Sequence, residues 1–295
     1  MIRLIVRKFF WGGLRHLLTD KAWHRWRYYI EFGFFPDLNQ PNRLSEKIQQ
    51  IKLTEQTDLR RLAADRLRVR DYIEQRAGRE YLIPLYGCWG TLTHEAWDSL
   101  PDSFVLKATH GSGFVRVIRN KKEVPFSEIR NETDRWLSTD YYRFGREWVY
   151  KDLKPGLIAE ELLLSSKAEI PADFKFFCFH GKVGFIQVDQ DRFGEQRRNL
   201  YTSSFKKLDA ELHHPAGVVD MGKPAQLEEA VKLAEKLAEP FTFIRVDLYL
   251  PGEKIYFGEL TNYPGNGFER FCPDKWDFHF GELLSLSGFG SGSAN

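Results

Sequence analysis

The spacing of apolar residues divides the chain into a helical first part and a mixed later part. Up to residue 80 apolar side chains recur mainly at helical spacing, and residues 58–79 predict a helix that ends near Gly78. A further amphipathic helix is predicted between Pro224 and Pro240, and residues 126–148 are also predicted to be helical. The apolar stripe of the helix that follows Pro224 contains Leu227, Ala230, Val231, Ala234 and Leu237.

Three pairs of short apolar runs flank turn-prone segments, which predicts three β-hairpins. The paired runs are 104–108 with 115–118, 174–179 with 183–188, and 243–250 with 254–260. Helices combined with antiparallel hairpins are typical of the α+β class. The last residues, 287–295, are rich in Gly and Ser and are predicted to be a flexible tail.

Composition narrows the class of protein. The 295 residues are 42% hydrophobic and 28% charged, as in an ordinary globular protein. A net charge of +2 argues against a nucleic-acid partner. Cys88, Cys178 and Cys272 lie far apart, so we expect neither a disulfide framework nor a zinc site, and a reducing compartment such as the cytoplasm fits best. No apolar run is long enough to span a bilayer.

The first 18 residues predict a basic amphipathic helix. Such a helix can lie on an anionic membrane surface, here the inner face of the plasma membrane, or it can pack on its own domain. The apolar face contains Ile2, Ile5, Val6, Phe9 and Leu17, and the basic positions are Arg3, Arg7, Lys8 and Arg15.

The last hairpin carries two acidic side chains that could bind a metal. Strand alternation places Arg245 and Asp247 on one face, and the expected register puts Asp247 opposite Phe257 with Glu259 diagonally across. Two neighbouring carboxylates repel unless a positive group lies between them. Mg²⁺ is one candidate, since it takes oxygen ligands. A salt bridge from Arg245 to Glu259 is the alternative.

Two other segments could bind an anion. Lys107 ends a strand before a loop in which Gly111 and Gly113 allow close approach of a ligand to the backbone, although an ordinary hairpin turn is the alternative. Lys175 alternates with apolar neighbours, and Arg192 follows the next strand. Two cations directed at one point would suit a phosphate or a developing acyl phosphate, whereas a solvated strand face is the alternative.

A different chemistry is suggested by Asp189-x-Asp191, because many nucleotide-sugar glycosyltransferases bind their metal through a D-x-D motif. A two-residue match of this kind is frequent by chance.

The order of these segments along the chain resembles the TupA-like branch of the ATP-grasp superfamily, over residues 43–284. The blocks that carry the resemblance are 42–49, 64–72, 104–113, 173–182, 188–192, 245–249, 258–265 and 276–277. The resemblance implies an ATP-grasp fold with a helical N-terminal region and antiparallel sheets that enclose the nucleotide. It also implies Mg²⁺ and ATP as cofactors.

The resemblance assigns roles to matched positions. Lys107 would contact the phosphates, the 110–113 loop would be a flap over them, and residues 160–163 would hold the adenine. The nucleotide-binding positions are Lys107, His110, Gly111, Ser112, Gly113, Glu160, Glu161, Leu162 and Asp173. Lys175 and Arg192 match the catalytic phosphate- or acyl-phosphate-binding positions.

Asp247 and Glu259 match the two carboxylates that bind Mg²⁺ in the family. The chain departs from the common Glu-x-Asn pattern, because Thr261 occupies the Asn position and Asn262 follows it. Either Thr261 or Asn262 is therefore a candidate third ligand.

The implied function is an Mg-ATP-dependent ligase. It would convert a carboxylate, such as a sugar uronate, into an acyl phosphate and then an amide during synthesis of a bacterial capsule or surface polysaccharide. A glycosyltransferase or a sugar kinase is the alternative. The implied partners are a sugar or polysaccharide acceptor and an amino acid or other small amine. The predicted division is a helical region at 1–80 with acceptor and membrane contacts, a subdomain at 81–158 with the flap, a subdomain at 159–286 with the metal site, and the tail at 287–295.

Overall fold

The structure is a computed structural model that describes residues 2–165, 168–190, 197–217 and 221–286. The predicted tail at 287–295 lies outside the described residues. Helices dominate the first part, as predicted. Along all the described residues the helices are α1 Ile2–Trp11, α2 Asp20–Phe32, α3 Leu44–Thr54, α4 Asp58–Ala64, α5 Val69–Arg76, α6 His94–Ser99, α7 Phe126–Leu137, α8 Tyr142–Gly145, α9 Leu227–Ala238 and α10 Lys275–Glu282.

The predicted helix at 58–79 is wrong in one respect, because it consists of two helices. Between α4 and α5 the carboxylate of Asp65 accepts hydrogen bonds from the backbone N–H groups of Leu67 and Arg68, at 3.0 and 3.1 Å. A short acidic side chain that binds backbone N–H groups stabilises a turn and starts a new helix. The break places Arg66 between two helices.

The strands of the described residues form three antiparallel sheets, and the three predicted hairpins are confirmed. One sheet has the order β1-β4-β2-β3, another β10-β9-β5-β6-β7, and a two-stranded sheet joins β11 to β8. The strands are β1 Leu85–Trp89, β2 Phe104–Ala108, β3 Val115–Ile118, β4 Leu157–Glu160, β5 Asp173–Phe179, β6 Lys182–Gln190, β7 Arg197–Tyr201, β8 Glu211–Leu212, β9 Phe243–Tyr249, β10 Tyr256–Thr261 and β11 Phe271–Cys272.

Strand alternation in the five-stranded sheet separates a core face from a charged face. On β5, Phe174 and Phe176 are buried in the core that α9 covers, whereas Asp173 and Lys175 lie on the other face. Full burial of a Phe side chain stabilises the fold by about 2 kcal/mol. A slip of one residue would place the aromatic rings on the charged face, so burial fixes the register.

The start and the end of the chain are held together by buried hydrogen bonds. In α3, the backbone N–H and hydroxyl of Ser45 donate to the Asp277 carboxylate of α10, at 2.9 and 2.6 Å.

At the predicted boundary between residues 158 and 159 the chain runs through β4 without a break. The division into subdomains stays a prediction.

The first helix places apolar residues in two environments. Phe10 is buried against Trp23 of α2, with ring centroids 5.7 Å apart, whereas Leu4, Ile5 and Phe9 are 71%, 50% and 67% exposed. Leu17, predicted on the same face, comes after the helix has ended and is 84% exposed. None of the described helices has the length and apolar character needed to cross a bilayer.

Candidate functional site

A row of charged side chains crosses the five-stranded sheet on the face opposite α9. From one edge to the other the row contains Glu259 on β10, Asp247 on β9, Lys175 on β5, Asp189 on β6 and Arg198 on β7. Asp247 is the register partner of both Glu259 and Lys175, and Asp189 is the partner of Arg198. All of them except Glu259 are buried. Buried charges need partners of opposite sign, and the adjacent strands provide them.

The register at the two carboxylates corrects the sequence expectation. Asp247 lies directly opposite Glu259, and Phe257 pairs with Leu248, because the register shifts between Phe257 and Glu259. An extra residue in one strand is a β-bulge. The residue between them is Gly258, where a Cβ atom would lie 3.1 Å from the carbonyl oxygen of Asp247. The bulge brings the carboxylates closer than a diagonal pairing would.

Arg245 bridges the two carboxylates. Its Nε and Nη2 atoms donate to the two oxygens of Asp247, both at 2.6 Å, and Nη2 lies 3.2 Å from Glu259 Oε1. Burial alone would lower the pKa of Arg245, but the charge of Asp247 raises it above its ordinary value. The alternative expected from the sequence, a salt bridge from Arg245 to Glu259, is therefore present.

The two carboxylates differ in their affinity for a proton. Burial raises the pKa of Asp247 to about 6, although Arg245 and Lys175 oppose this shift. Burial would also raise the pKa of Glu259, but the charges of Arg66 and Arg245 outweigh burial and lower it to about 2. Glu259 is therefore ionised throughout the neutral range, and its side chain is 34% exposed.

Thr261 ends β10, and Asn262 follows the strand with different partners. The Thr261 hydroxyl donates to Glu259 Oε1 at 2.7 Å. The Asn262 side chain is buried and binds Arg60, donating to its carbonyl oxygen at 2.8 Å and accepting from its Nη1 at 3.3 Å. The structure therefore brings Thr261, and not Asn262, to the carboxylates.

The side chains present fit Mg²⁺, which takes some of its ligands from a substrate, better than a metal ion whose ligands all come from the protein. Within the described ranges no group of three or more His, Cys, Asp and Glu side chains is placed to hold a metal ion. Two carboxylates and a hydroxyl are present, and Mg²⁺ is commonly held by one or two carboxylates together with the phosphates of a substrate. Asp247 and Glu259 would be its ligands here.

A narrow cleft runs beside Glu259. One wall contains Lys107, Ile158 and Glu160 of the four-stranded sheet, and the other contains Phe257 and Glu259 of the five-stranded sheet. The cleft has a volume of about 40 Å³, whereas ligand pockets commonly occupy about 300 Å³ or more. The structure therefore describes a closed cleft.

Glu160 is the centre of charge on the β4 side of this cleft. Its carboxylate accepts from Lys107 Nζ at 2.7 Å and from Arg70 Nη1 at 2.6 Å. Lys107 and Glu160, both predicted to bind the nucleotide, thus lie together. Beyond β4 the half-buried Glu161 and Leu162 continue the chain, and the Glu161 backbone N–H donates to the Pro84 carbonyl oxygen at 2.9 Å.

The predicted flap separates two spaces. Gly111 and Ser112 line the narrow cleft. His110 is buried on the other side, where its Nε2 atom lies 3.0 Å from the Trp136 carbonyl oxygen, so the structure does not bring it into the cleft. Gly113 has a φ of +78°, a conformation that favours glycine.

Arg66 connects the flap to Glu259, and it was not among the site residues predicted from the sequence. Its Nη1 atom donates to the carbonyl oxygens of Ala108, at 2.9 Å, and of Gly111. Its Nη2 atom lies 3.5 Å from Glu259 Oε2. Arg66 and Arg70 both lie in the 64–72 block that carried the resemblance. That block was the one feature of the sequence that could have indicated them as site residues.

Lys175 does not lie on a solvated face. It is 5% exposed, donates to Asp173, and its Nζ lies 3.4 Å from Asp247 Oδ2. The neighbouring Asp189 accepts from Arg198 Nε at 2.6 Å. Burial would raise the pKa of Asp189, but the charges of Arg198 and Lys175 lower it. Arg192 and Asp191, predicted from the same segment, lie outside the described residues.

Known solved structures resemble this chain only weakly. D-alanine–D-alanine ligase from Bacillus anthracis is 14% identical, with 68% of this chain and 57% of that one covered and a TM-score of 0.41. Phosphoribosylamine–glycine ligase from Thermotoga maritima is 11% identical, with 72% and 52% covered and a TM-score of 0.41. N5-carboxyaminoimidazole ribonucleotide synthetase from Thermus thermophilus is 12% identical, with 74% and 47% covered and a TM-score of 0.37. The chain thus spans about half the length of these proteins.

The sequence itself matches a family model. A comparison with curated proteins finds no match. The model of the family described as TupA-like ATPgrasp matches residues 46–285, which is most of the chain and contains every described residue of the narrow cleft. The chain belongs to the TupA-like ATP-grasp family.

Proposed function

We propose that this protein is an Mg-ATP-dependent ligase that activates a carboxylate as an acyl phosphate for amide formation. The observation that carries the proposal is the directly opposed pair of Asp247 and Glu259, with Lys175 beside it and Lys107 across the narrow cleft. Carboxylates and cations in this arrangement suit a metal and phosphates. Mg-ATP would supply the phosphoryl group.

The side chains divide the work by position. Lys107 and Arg70, which now neutralise Glu160, would set the charge around the nucleotide phosphates and ribose. Asp247 and Glu259 would hold the metal. Lys175 and Arg245 would stabilise the negative charge of the phosphoryl group as it passes from ATP to the substrate carboxylate, because fixed cations in a water-poor site stabilise such charge strongly.

The substrates form the finer part of the proposal. We propose a sugar uronate as the carboxylate and an amino acid or other small amine as the acceptor, in synthesis of a bacterial capsule or surface polysaccharide. Membership in the TupA-like family supports this choice. Trapping with hydroxylamine tests it, since an ATP-dependent hydroxamate of glucuronate should form. If no uronate yields a hydroxamate, this choice of substrate is wrong.

The first experiment is thermal unfolding of the wild type and of Asp247→Asn with ATP, UDP-glucose or neither, each with and without Mg²⁺. ATP at about 100 times its dissociation constant should stabilise the wild type by about 2.7 kcal/mol. We expect the shift to require Mg²⁺ and to disappear in Asp247→Asn. Asp209→Asn is the matched control, since Asp209 is exposed and outside the cleft.

A shift with UDP-glucose alone would overturn the ligase proposal. It would favour the glycosyltransferase alternative based on Asp189 and Asp191. Phosphorylation of a sugar hydroxyl without any amine would favour the sugar kinase instead.

We further propose that residues 1–18 contact an anionic membrane surface on the cytoplasmic side. At least half of the surface of each of the α1 residues Leu4, Ile5 and Phe9 is exposed. Residues 1–18 contain four Arg and Lys residues but no Asp or Glu, and the first acidic residue of the chain is Asp20. Exposed apolar side chains flanked by cations suit the interface of an anionic bilayer.

A further inference from the structure

A second and much larger cavity lies beside the narrow cleft. Its volume is about 670 Å³, which falls within the range of about 300–1,000 Å³ that small-molecule sites occupy. Residues 137–155 supply most of its lining, and Arg15, His16 and Trp23 of the helical N-terminal region supply the rest together with His110. Two segments that are distant in sequence therefore build it.

The flap forms the wall between this cavity and the narrow cleft. His110 lines the cavity, whereas Gly111 and Ser112 line the cleft. Tyr141 packs closely on the flap, since a Cβ atom on Gly111 would lie 2.8 Å from its ring. Tyr150 lines both spaces, so a ligand in the cavity would lie next to a ligand in the cleft.

The cavity offers cations that the rest of the protein does not neutralise. Arg143 pairs with Asp140 at 2.9 Å, and Arg146 pairs with Asp20 at 3.0 Å. Arg15 and Lys151 form no ion pair with any described residue, and both line the cavity.

The acidic side chains on the lining do not cancel this charge. Among the described lining residues the carboxylates are Asp140 and Asp152, and Asp140 is already paired with Arg143. The charged lining side chains without an ion pair are therefore two cations and one carboxylate. This excess of positive charge favours an anionic ligand.

Aromatic rings with polar edges line the same cavity. Tyr141 and Tyr150 meet edge to face with centroids 4.7 Å apart, and the Tyr142 hydroxyl donates to Asp20 at 2.7 Å. The Lys151 ammonium lies 5.8 Å from the Tyr142 ring. Rings and hydroxyls bind the apolar faces and hydroxyls of a sugar, and cations bind a carboxylate.

We propose that this cavity binds the acidic saccharide substrate, with Arg15 and Lys151 holding its carboxylates and the tyrosines holding its rings. The inference rests on the proposed ligase function and places its substrate at the flap. It gives the N-terminal region a part in the site, because Arg15 and Trp23 come from it.

Calorimetric titration with two tetrasaccharides tests the proposal on the full-length protein. One probe consists of glucuronic acid and the other of glucose. We expect the wild type to bind the glucuronate probe. Lys151→Met and Arg15→Met should each lower the affinity for this probe about tenfold, as removal of one charge-assisted contact does. The neutral probe should bind at least about tenfold more weakly than the acidic one.

Lys154→Met is the matched control, because Lys154 is exposed, lies three residues from Lys151 and does not line the cavity. It should bind the acidic probe as the wild type does. Failure of the wild type to bind the glucuronate probe would overturn the inference, as would wild-type affinity for that probe in both Lys151→Met and Arg15→Met.

Thermal unfolding with Mg-ATP separates this result from a failure of the ligase proposal. Arg15 and Lys151 do not line the narrow cleft, so both variants should keep the wild-type shift with Mg-ATP. A wild type without any shift would count against the ligase, whereas a preserved shift with unchanged saccharide affinity in the variants would count against the cavity alone.

Discussion

Single charged residues at the candidate site are stabilised by partners on the same strand and on the adjacent strand. Lys175 lies near Asp173 and Asp247, and Arg245 binds both Asp247 and Glu259. Breaking such a buried pair by removing one partner leaves a desolvated charge and commonly costs about 3–5 kcal/mol. A variant of these residues therefore changes stability as well as binding, so each assay should compare ligand-induced shifts within one variant.

His24 should make the stability of the protein fall at mildly acidic pH. Burial, with the nearby charges of Lys52 and Arg146, lowers the pKa of His24 well below its usual value. The unfolded chain takes up a proton near pH 6.5 and the folded chain does not, so stability is present above that pH and is lost as the pH falls. From pH 6.5 to 5.5 we expect a loss of about 1 kcal/mol.

Chemical denaturation across this pH range measures the effect. His24→Gln should lose this part of the slope, whereas His279→Gln, a variant of an exposed histidine, should keep it. Parallel stability curves for the wild type and His24→Gln would show that a neutral buried His24 is the wrong explanation.

Some site residues could be predicted from the sequence and others could not. Alternation along β9 and β10 was enough to suggest that Asp247 and Glu259 share a face. Alternation could not decide whether Thr261 or Asn262 lies beside the carboxylates. The answer depends on β10 continuing to residue 261 and on the hydrogen bond of the Asn262 side chain with Arg60. Arg66 was missed because its partners, such as the Gly111 carbonyl oxygen, are backbone atoms of a distant loop.

At the scale of elements, periodicity predicted the hairpins well because each strand buries one face. The predicted hairpin at 243–250 and 254–260 is found as β9 and β10. The bulge beside Gly258 was not predicted, since a glycine in a strand is compatible with both registers. The helix at 58–79 was predicted without its break, because the Asp65 turn preserves helical composition on both sides.

The exposed face of α1 should bind anionic vesicles. Ile5 and Phe9 are 50% and 67% exposed, and burying such side chains in the bilayer interface stabilises binding by about 1.5–3 kcal/mol each at full burial. We therefore expect the double variant Ile5→Ser with Phe9→Ser to lose about tenfold or more in affinity for vesicles of phosphatidylglycerol and phosphatidylcholine. Co-sedimentation measures the bound fraction.

Phe144→Ser is the control for this experiment, because Phe144 is 62% exposed outside the N-terminal region. High salt should weaken binding of the wild type, since the cations of residues 1–18 contribute through screened charges. Equal binding to vesicles of phosphatidylcholine alone, or an unchanged double variant, would contradict the membrane proposal.

At the scale of the whole molecule, the site depends on how the two larger sheets face each other across the narrow cleft. The sequence could predict strands and the order of blocks, but not the cleft volume or the cavity that Arg15 and residues 137–155 share. Such contacts join segments more than a hundred residues apart, and local periodicity carries no information about them. The hydrogen bond of His24 Nε2 with the Arg146 carbonyl oxygen, at 3.2 Å, is one example.

Closure of the flap should respond to the nucleotide. In the structure Arg66 binds the carbonyl oxygens of Gly111, in the flap, and of Ala108, at the end of β2. The cleft is too narrow for ATP, so ATP binding must first loosen these contacts and then replace them. With Mg-ATP at about ten times its dissociation constant, local opening of the occupied flap should fall about tenfold. Hydrogen exchange at residues 108–114 measures this opening. Residues 202–209, beyond the far edge strand β7, exchange through their own local motion and should not change. UDP-glucose should protect neither segment. Equal protection of both segments by Mg-ATP, or none at the flap, would show that the flap does not close over the nucleotide.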